Sequence, residues 1–174
     1  MSRQFEDPTA FEIDFDATKA RMSGVARHGM TPFDVPFISN IEANLWQGGC
    51  KTGLKLPENI QHVVSLYKWE DYDHGPLKTH EIVTMYDSAG VVDGEEVDRL
   101  ANLVNDLLKT GEDVLVHCQA GLNRSSLIAA RSLMLRDDNP LTAGEAITLI
   151  RESRSPACLC NPSFEEWLRL QDTI

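Results

Sequence analysis

Short apolar runs separated by turn residues mark the chain from Phe37 onward. They lie at residues 37–38, 45–46, 62–67, 82–86 and 114–117. Runs of this length, flanked by turn residues, predict β-strands. The last run, Val114-Leu115-Val116-His117, is continuous, which is typical of a strand buried on both faces. The pattern therefore predicts an α/β fold around a mostly parallel or mixed sheet of about five strands.

Apolar residues at helical spacing predict helices between and after these strands. Apolar residues recur at helical intervals at Val97, Leu100, Leu103, Val104, Leu107 and Leu108. Asp93 with Glu96 has the form of a capping box, so this helix should begin near Gly94 and end before Gly111. Residues 125–136 predict a second helix. Thr142 with Glu145 and Ser163 with Glu166 predict the starts of two more.

Residues 1–36 differ from the rest of the chain. They are polar and acidic, and Gly and Pro residues interrupt every periodic pattern. We expect an irregular N-terminal arm, packed on the domain or partly mobile, followed by one compact domain over residues 37–174. The first residues lack the basic start and apolar run of a secretory signal, so the expected location is the cytoplasm.

Composition narrows the classes of function. The formal net charge is −11, from 16 basic and 27 acidic residues, which disfavours binding to nucleic acid. No segment approaches the ~18 apolar residues of a membrane span. Besides Cys118, the cysteines Cys50, Cys158 and Cys160 lack C-x2-C spacing, so we predict packed thiols and no metal or cofactor, with a redox role left open. The sequence makes no prediction of oligomeric state.

The segment from His117 to Ser125 joins the buried strand to the second helix. Such a junction points backbone N–H groups, here of Gln119, Ala120, Gly121, Leu122 and Asn123, and the positive end of the helix dipole toward one concave site. Gly121 allows the tight loop, and the Arg124 fork can hold two phosphate oxygens. The same dipoles favour a thiolate at Cys118, which makes it a nucleophile.

Two residues beside this loop have alternative interpretations. His117 is either a residue that orients the loop through its ring nitrogens or a histidine packed in the core, and the sequence favours neither. Ser125 can donate a hydrogen bond to the Cys118 sulfur, or it can cap the helix, and both can hold together.

The pattern His117-Cys118-x5-Arg124-Ser125 resembles the signature of the cysteine-based protein tyrosine phosphatase superfamily. With Gln119-Ala120-Gly121 and Ser125-Ser126 it is most similar to the dual-specificity phosphatases. The similarity covers residues 37–170, including the stretch Asn161-Pro162-Ser163-Phe164. It implies the phosphatase fold and hydrolysis of phosphate monoesters through a phosphocysteine, without a metal.

The resemblance also implies a general acid, since family members carry an Asp on a loop about thirty residues before the Cys. Asp87 lies 31 positions before Cys118 and follows the run at residues 82–86, so it is the predicted acid. Asp93 is the competitor, but its position suits a helix N-cap. Asp71 and Asp73 lie in a polar cluster that predicts a solvated loop.

The resemblance favours phosphotyrosine in a protein or peptide as substrate, with or without phosphoserine and phosphothreonine. Phosphoinositide-directed relatives carry basic residues inside the loop, where Gln119, Leu122 and Asn123 stand here. The RNA 5′-triphosphatase branch has Asn before the Arg, as in Asn123-Arg124, but the net charge disfavours it. A catalytically inactive phosphopeptide-binding module is the alternative from another class.

Overall fold

A computed structural model describes residues 16–69 and 72–172 of the chain. Residues 1–15 of the predicted arm and the predicted loop residue Asp71 lie outside this range. The strands are β1 (Arg21–Val25), β2 (Pro32–Pro36), β3 (Ile38–Glu42), β4 (Leu45–Gly48), β5 (Ile60–Ser65), β6 (Thr79–Ile82) and β7 (Asp113–His117). The helices are α1 (Gly94–Leu108), α2 (Arg124–Leu135), α3 (Ala143–Ser153) and α4 (Pro162–Gln171).

Five strands form the central sheet in the order β3-β4-β7-β5-β6. Only β3 and β4 pair antiparallel within it, and the other neighbours pair parallel. The predicted mixed α/β sheet is therefore confirmed. The middle strand β7 is the predicted buried strand, with Val114, Leu115 and Val116 fully buried.

Side chains alternate between the two faces of β7 and enter two different cores. Val114 and Val116 belong to the larger core, which includes residues of all four helices, such as Leu127 of α2. Leu115 belongs to a smaller core on the opposite side with Phe37. Because β7 is covered on both faces, the loop that follows it starts from a rigid position.

The apolar run at residues 82–86 predicted a strand, but the observed strand β6 lies earlier and ends at Ile82. Its parallel partner β5 ends at Ser65, paired with Ile82, so no strand continues beside residues 83–86. Val83 and Met85 instead pack against the larger core. Residues 83–93 are consequently irregular, and Asp87 lies on a loop five residues beyond the strand.

The helix caps are confirmed at two of the three predicted positions. Asp93 accepts a hydrogen bond from the Glu96 backbone N–H, and Thr142 forms a complete capping box with Glu145. The cap predicted at Ser163 is wrong. Asn161 is the N-cap of α4, and its side chain accepts a hydrogen bond from the Ser163 backbone N–H.

The described part of the N-terminal segment is ordered, so its predicted irregularity is wrong. Strands β1 and β2 pair antiparallel, from Arg21 opposite Pro36 to Val25 opposite Pro32. Gly29 lies in the turn of this hairpin and Pro32 and Pro36 lie at the ends of β2, where they are compatible with strand pairing, while Gly24 pairs with Phe33 inside β1. Among the described helices, none has the length and apolar content to cross a membrane.

Candidate active site

The loop after β7 has its backbone carbonyls turned outward. The carbonyl of Gln119 accepts from the Cys50 N–H (2.9 Å) and that of Leu122 from the Leu159 N–H (2.8 Å). The carbonyls of Ala120 and Gly121 accept from the Arg154 side chain. Across a trans peptide the C=O of one residue and the N–H of the next point in opposite directions. The N–H groups of residues 120–123 therefore point to the concave side, an arrangement that can bind an anion.

Gly121 is needed in this loop for two reasons. Its φ of +68° lies in the left-handed region, which side chains disfavour. A Cβ atom there would also lie 2.4 Å from the backbone carbon of Gly48. The close approach lets the loop pack against the end of β4, where the Cys118 N–H donates to the Gly48 carbonyl (3.2 Å).

Arg154, at the C-terminal end of α3, fixes the loop through hydrogen bonds from its guanidinium group. Its Nε donates to the Gly121 carbonyl (2.7 Å) and its Nη2 to the Ala120 carbonyl (3.1 Å). Its Nη1 donates to the Pro36 carbonyl and to the Ser39 hydroxyl. Burial lowers the pKa of Arg154. No local sequence pattern distinguishes Arg154 from a surface arginine, so its contacts with the loop were not predicted.

One guanidinium nitrogen of Arg124 donates a hydrogen bond to the protein backbone, whereas another has no acceptor among the described residues. Nη1 donates to the Met85 carbonyl (3.1 Å), and the guanidinium carbon lies 5.3 Å from the centre of the Tyr67 ring. Within the described residues, the buried Nε has no hydrogen-bond acceptor. A buried N–H normally has an acceptor, and a phosphate oxygen held by the loop would supply one.

Ser125 lies beside the Cys118 thiol, with 3.3 Å between Oγ and Sγ. Its Oγ accepts from Gln47 Nε2 (3.1 Å), which also donates to the Gly121 carbonyl and the Ser126 hydroxyl. The Gly121 carbonyl can only accept, so the Gln47 side-chain atom that contacts it is the amide nitrogen. Because Gln47 donates to the Ser125 oxygen, the Ser125 proton can point toward the sulfur. Gln47 reaches the loop only through the fold, and no sequence pattern indicated it.

His117 is both buried and linked to the loop, so each of its two interpretations describes part of its environment. Its Nδ1 lies 3.2 Å from the Cys118 carbonyl and its Nε2 lies 2.7 Å from the Tyr72 hydroxyl. The carbonyl only accepts, so Nδ1 carries the proton and Nε2 accepts from Tyr72. The Tyr72 oxygen lies 3.4 Å from His80 Nε2. Burial lowers the pKa of His117 to about 4, which keeps the ring neutral.

Asp87 faces the same cavity as Cys118 and Arg124. Its Oδ2 accepts from Asn123 Nδ2 (3.0 Å) and its Oδ1 from Asn161 Nδ2 (2.9 Å). Its competitor Asp93 is occupied as the N-cap of α1 and does not line this cavity. The geometry favours Asp87 over Asp93 as the acid.

The cavity above the loop has a volume of about 590 Å³. One wall comes from the hairpin, through Arg21, Met22, Ser23, Val25, Ala26, Arg27 and Phe33. The loop contributes Gln119, Ala120, Leu122 and Asn123. The N-terminal segment therefore forms part of the site, which the sequence patterns did not predict.

The remaining predicted residues have structural contacts. The Asn123 side chain contacts Asp87, Cys160 and the N–H of Asn161, while Leu122 is buried in the larger core. Cys158 is buried, which raises the pKa of its thiol, whereas Cys50 lines the cavity. Asp73 is exposed and accepts from the Gly75 N–H, as a turn residue does.

Comparison with known proteins identifies the family. The family model described as "Dual specificity phosphatase, catalytic domain" matches residues 51–173. The "Probable rhodanese domain-containing dual specificity protein phosphatase" of Dictyostelium discoideum is 33% identical over 78 residues. That match covers 45% of this chain and 15% of the relative. The chain thus matches only a small part of the relative's length.

Solved structures share the fold. Human DUSP28 is 17% identical with a TM-score of 0.63, covering 79% of this chain and 92% of its own. The human tyrosine phosphatase-like serine/threonine/tyrosine-interacting protein is 18% identical with a TM-score of 0.65, covering 78% and 95%. At this identity the likeness concerns the fold alone. Since the family model covers more than half of the chain, the chain belongs to the dual specificity phosphatase family.

Proposed function

We propose that this protein hydrolyses phosphotyrosine in proteins or peptides, with or without phosphoserine and phosphothreonine, through a phosphocysteine at Cys118. The observation that carries the proposal is the outward orientation of four consecutive carbonyls, from Gln119 to Leu122. It directs the intervening N–H groups and the N-terminus of α2 toward one site. The unpartnered Nε of Arg124 adds a further donor to a phosphate there.

The first step forms the phosphocysteine. The Cys118 thiolate attacks phosphorus, so the S–P bond forms as the bond to the leaving oxygen breaks. Asp87, protonated, gives its proton to that oxygen. Arg124 and the loop N–H groups stabilise the charge on the transferring phosphoryl group.

The second step releases inorganic phosphate. Asp87, now a carboxylate, takes a proton from a water molecule whose oxygen attacks phosphorus. The S–P bond breaks and the electrons return to sulfur. The Ser125 hydroxyl, 3.3 Å from the sulfur, stabilises the departing thiolate.

The walls of the cavity support an aromatic phosphate ester. Met22, Val25 and Phe33 offer apolar surface against which a phenyl ring can pack. Arg27 lines the same cavity and provides local positive charge in an acidic protein, whereas Arg21, which also lines it, is paired with Asp34 (2.7 Å). This combination suits a phosphotyrosine flanked by acidic residues.

A substrate panel tests this proposal. We would measure phosphate release from phosphotyrosine, phosphoserine and phosphothreonine peptides, a phosphoinositide and triphosphate-ended RNA. We expect phosphotyrosine peptides to have the highest kcat/KM. Preference for the lipid or the RNA would contradict the substrate assignment, and binding of peptides without turnover would identify the binding-module alternative.

The intermediate has its own test. Rapid acid quenching with a phosphotyrosine peptide, followed by mass spectrometry, should find one phosphoryl group on Cys118. Cys118→Ser should abolish turnover while it keeps the fold and peptide binding, because an unactivated hydroxyl is a far weaker nucleophile. Multiple turnover by that variant would refute the mechanism.

A further inference from the structure

Asp87 has a third contact that comes from the N-terminal hairpin. His28 lies in the turn between β1 and β2. Its Nε2 lies 3.1 Å from Asp87 Oδ1 and 3.3 Å from the Asp87 carbonyl oxygen. The side chains are 15% and 18% exposed, respectively. One imidazole nitrogen therefore contacts both the side chain and the backbone of the predicted acid.

We infer that His28 is a positioning residue, which orients Asp87 as the general acid from the N-terminal hairpin. The inference rests on the proposed function, because it requires Asp87 to protonate the leaving group. It adds a role for a segment that precedes the residues matched by the family model, which begin at residue 51. His28 acts through Asp87 and makes no contact with the reacting atoms.

The position of Asp87 along the chain explains why it needs such support. It lies within residues 83–93, which form neither helix nor strand. An aspartate on irregular backbone has to be oriented by its own contacts, and a misplacement of ~1 Å can cost about 100-fold in rate. Asn123 and Asn161 fix the carboxylate, and His28 adds the contact to the backbone carbonyl.

The contacts also distinguish the two carboxyl oxygens. With Nε2 as donor, Oδ1 accepts from both His28 and Asn161, while among the described residues Oδ2 accepts from Asn123 alone. The acid proton accordingly occupies Oδ2, which keeps room for it. In the first step this proton moves to the leaving oxygen as the P–O bond breaks, and both donors to Oδ1 then stabilise the carboxylate that forms.

Kinetics with two aryl phosphates test the inference. Phenyl phosphate has a poor leaving group that needs protonation, whereas para-nitrophenyl phosphate has a good one that needs little. For His28→Ala we expect kcat/KM with phenyl phosphate, which reports the first chemical step without hydrolysis of the phosphocysteine, to fall about 10- to 100-fold, and kcat/KM with para-nitrophenyl phosphate to change much less. His28→Gln should recover much of the loss, because its amide nitrogen can replace Nε2 as donor.

Three further variants make the outcomes distinct. Met30→Ala alters the same turn at a side chain 74% exposed that does not line the cavity, so it should retain wild-type kinetics. Asp87→Asn should show the leaving-group-dependent loss. The double variant, with both His28→Ala and Asp87→Asn, should show no loss beyond that of Asp87→Asn. If Asp87→Asn lacks that loss, the acid assignment fails. If Asp87→Asn shows it and His28→Ala shows equal losses with both substrates, or none, this inference alone is overturned.

Discussion

Acidification should destabilise this protein through His117 in a defined pH range. The ring is 1% exposed, and burial lowers its pKa from 6.5 to about 4. In the unfolded chain the ring regains its ordinary pKa. The unfolded state therefore binds the proton at a higher pH than the folded state, and the free energy of unfolding falls as the pH drops from about 6.5 to about 4.

The size of the effect follows from the difference between the two pKa values. One pKa unit corresponds to about 1.4 kcal/mol, so complete titration of His117 lowers the free energy of unfolding by about 3 kcal/mol. Between about pH 7 and about pH 4.5 the loss is about 2 kcal/mol. This is a large part of the ~5–15 kcal/mol that stabilises a typical domain.

Urea unfolding at several pH values in this range measures the effect. His117→Gln removes the titrating ring, so its free energy of unfolding should be lower than that of the wild type at neutral pH but fall less steeply on acidification. His74→Gln changes an exposed histidine and should retain the wild-type slope. Equal slopes for the wild type and His117→Gln would refute the reasoning.

The other predictions concern the loop and the acid. Arg124→Lys should lower kcat about 10²- to 10³-fold, because a point charge cannot replace the planar fork; near-normal kinetics would exclude Arg124 from the phosphate site. Asp87→Asn should slow phenyl phosphate hydrolysis about 10²- to 10⁴-fold, whereas Asp93→Asn should preserve both activity and α1, because Asn is also a good cap; the reverse result would reassign the acid. Gly121→Ala should lower the midpoint of urea unfolding more than Gly53→Ala, because both positions have positive φ but only the first lacks space for a Cβ; equal effects would contradict the clash.

The sequence predicted the features that depend on consecutive residues. The loop from His117 to Arg124 was predictable because the buried strand, the glycine and the start of the helix all adjoin it. The caps at Asp93 and Thr142 were equally local, since each contacts a backbone N–H three residues later. Local patterns of this kind are visible without a fold.

What the sequence did not predict depends on distant residues. The position of β6 depends on where β5 ends, which the apolar run at residues 82–86 does not encode. Gln47, Arg154 and His28 reach the site from other elements, and their contacts with it have no counterpart in sequence spacing. The cap of α4 is different, because Asn161-Pro162 is itself a start signal, an N-cap followed by Pro at the first helical position.

The hydrogen bonds of Arg154 indicate which N-terminal residues a stable domain has to include. This buried cation donates to the Pro36 carbonyl as well as to the loop carbonyls, and the backbone N–H groups of Phe37 and Ile38 donate to the Ala20 and Ala17 carbonyls. A chain shortened to residues 51–173 would lose β3, β4 and the carbonyls of Ala17, Ala20 and Pro36. We therefore expect the smallest independently stable unit to include the N-terminal hairpin and to be longer than the segment by which the family is recognised.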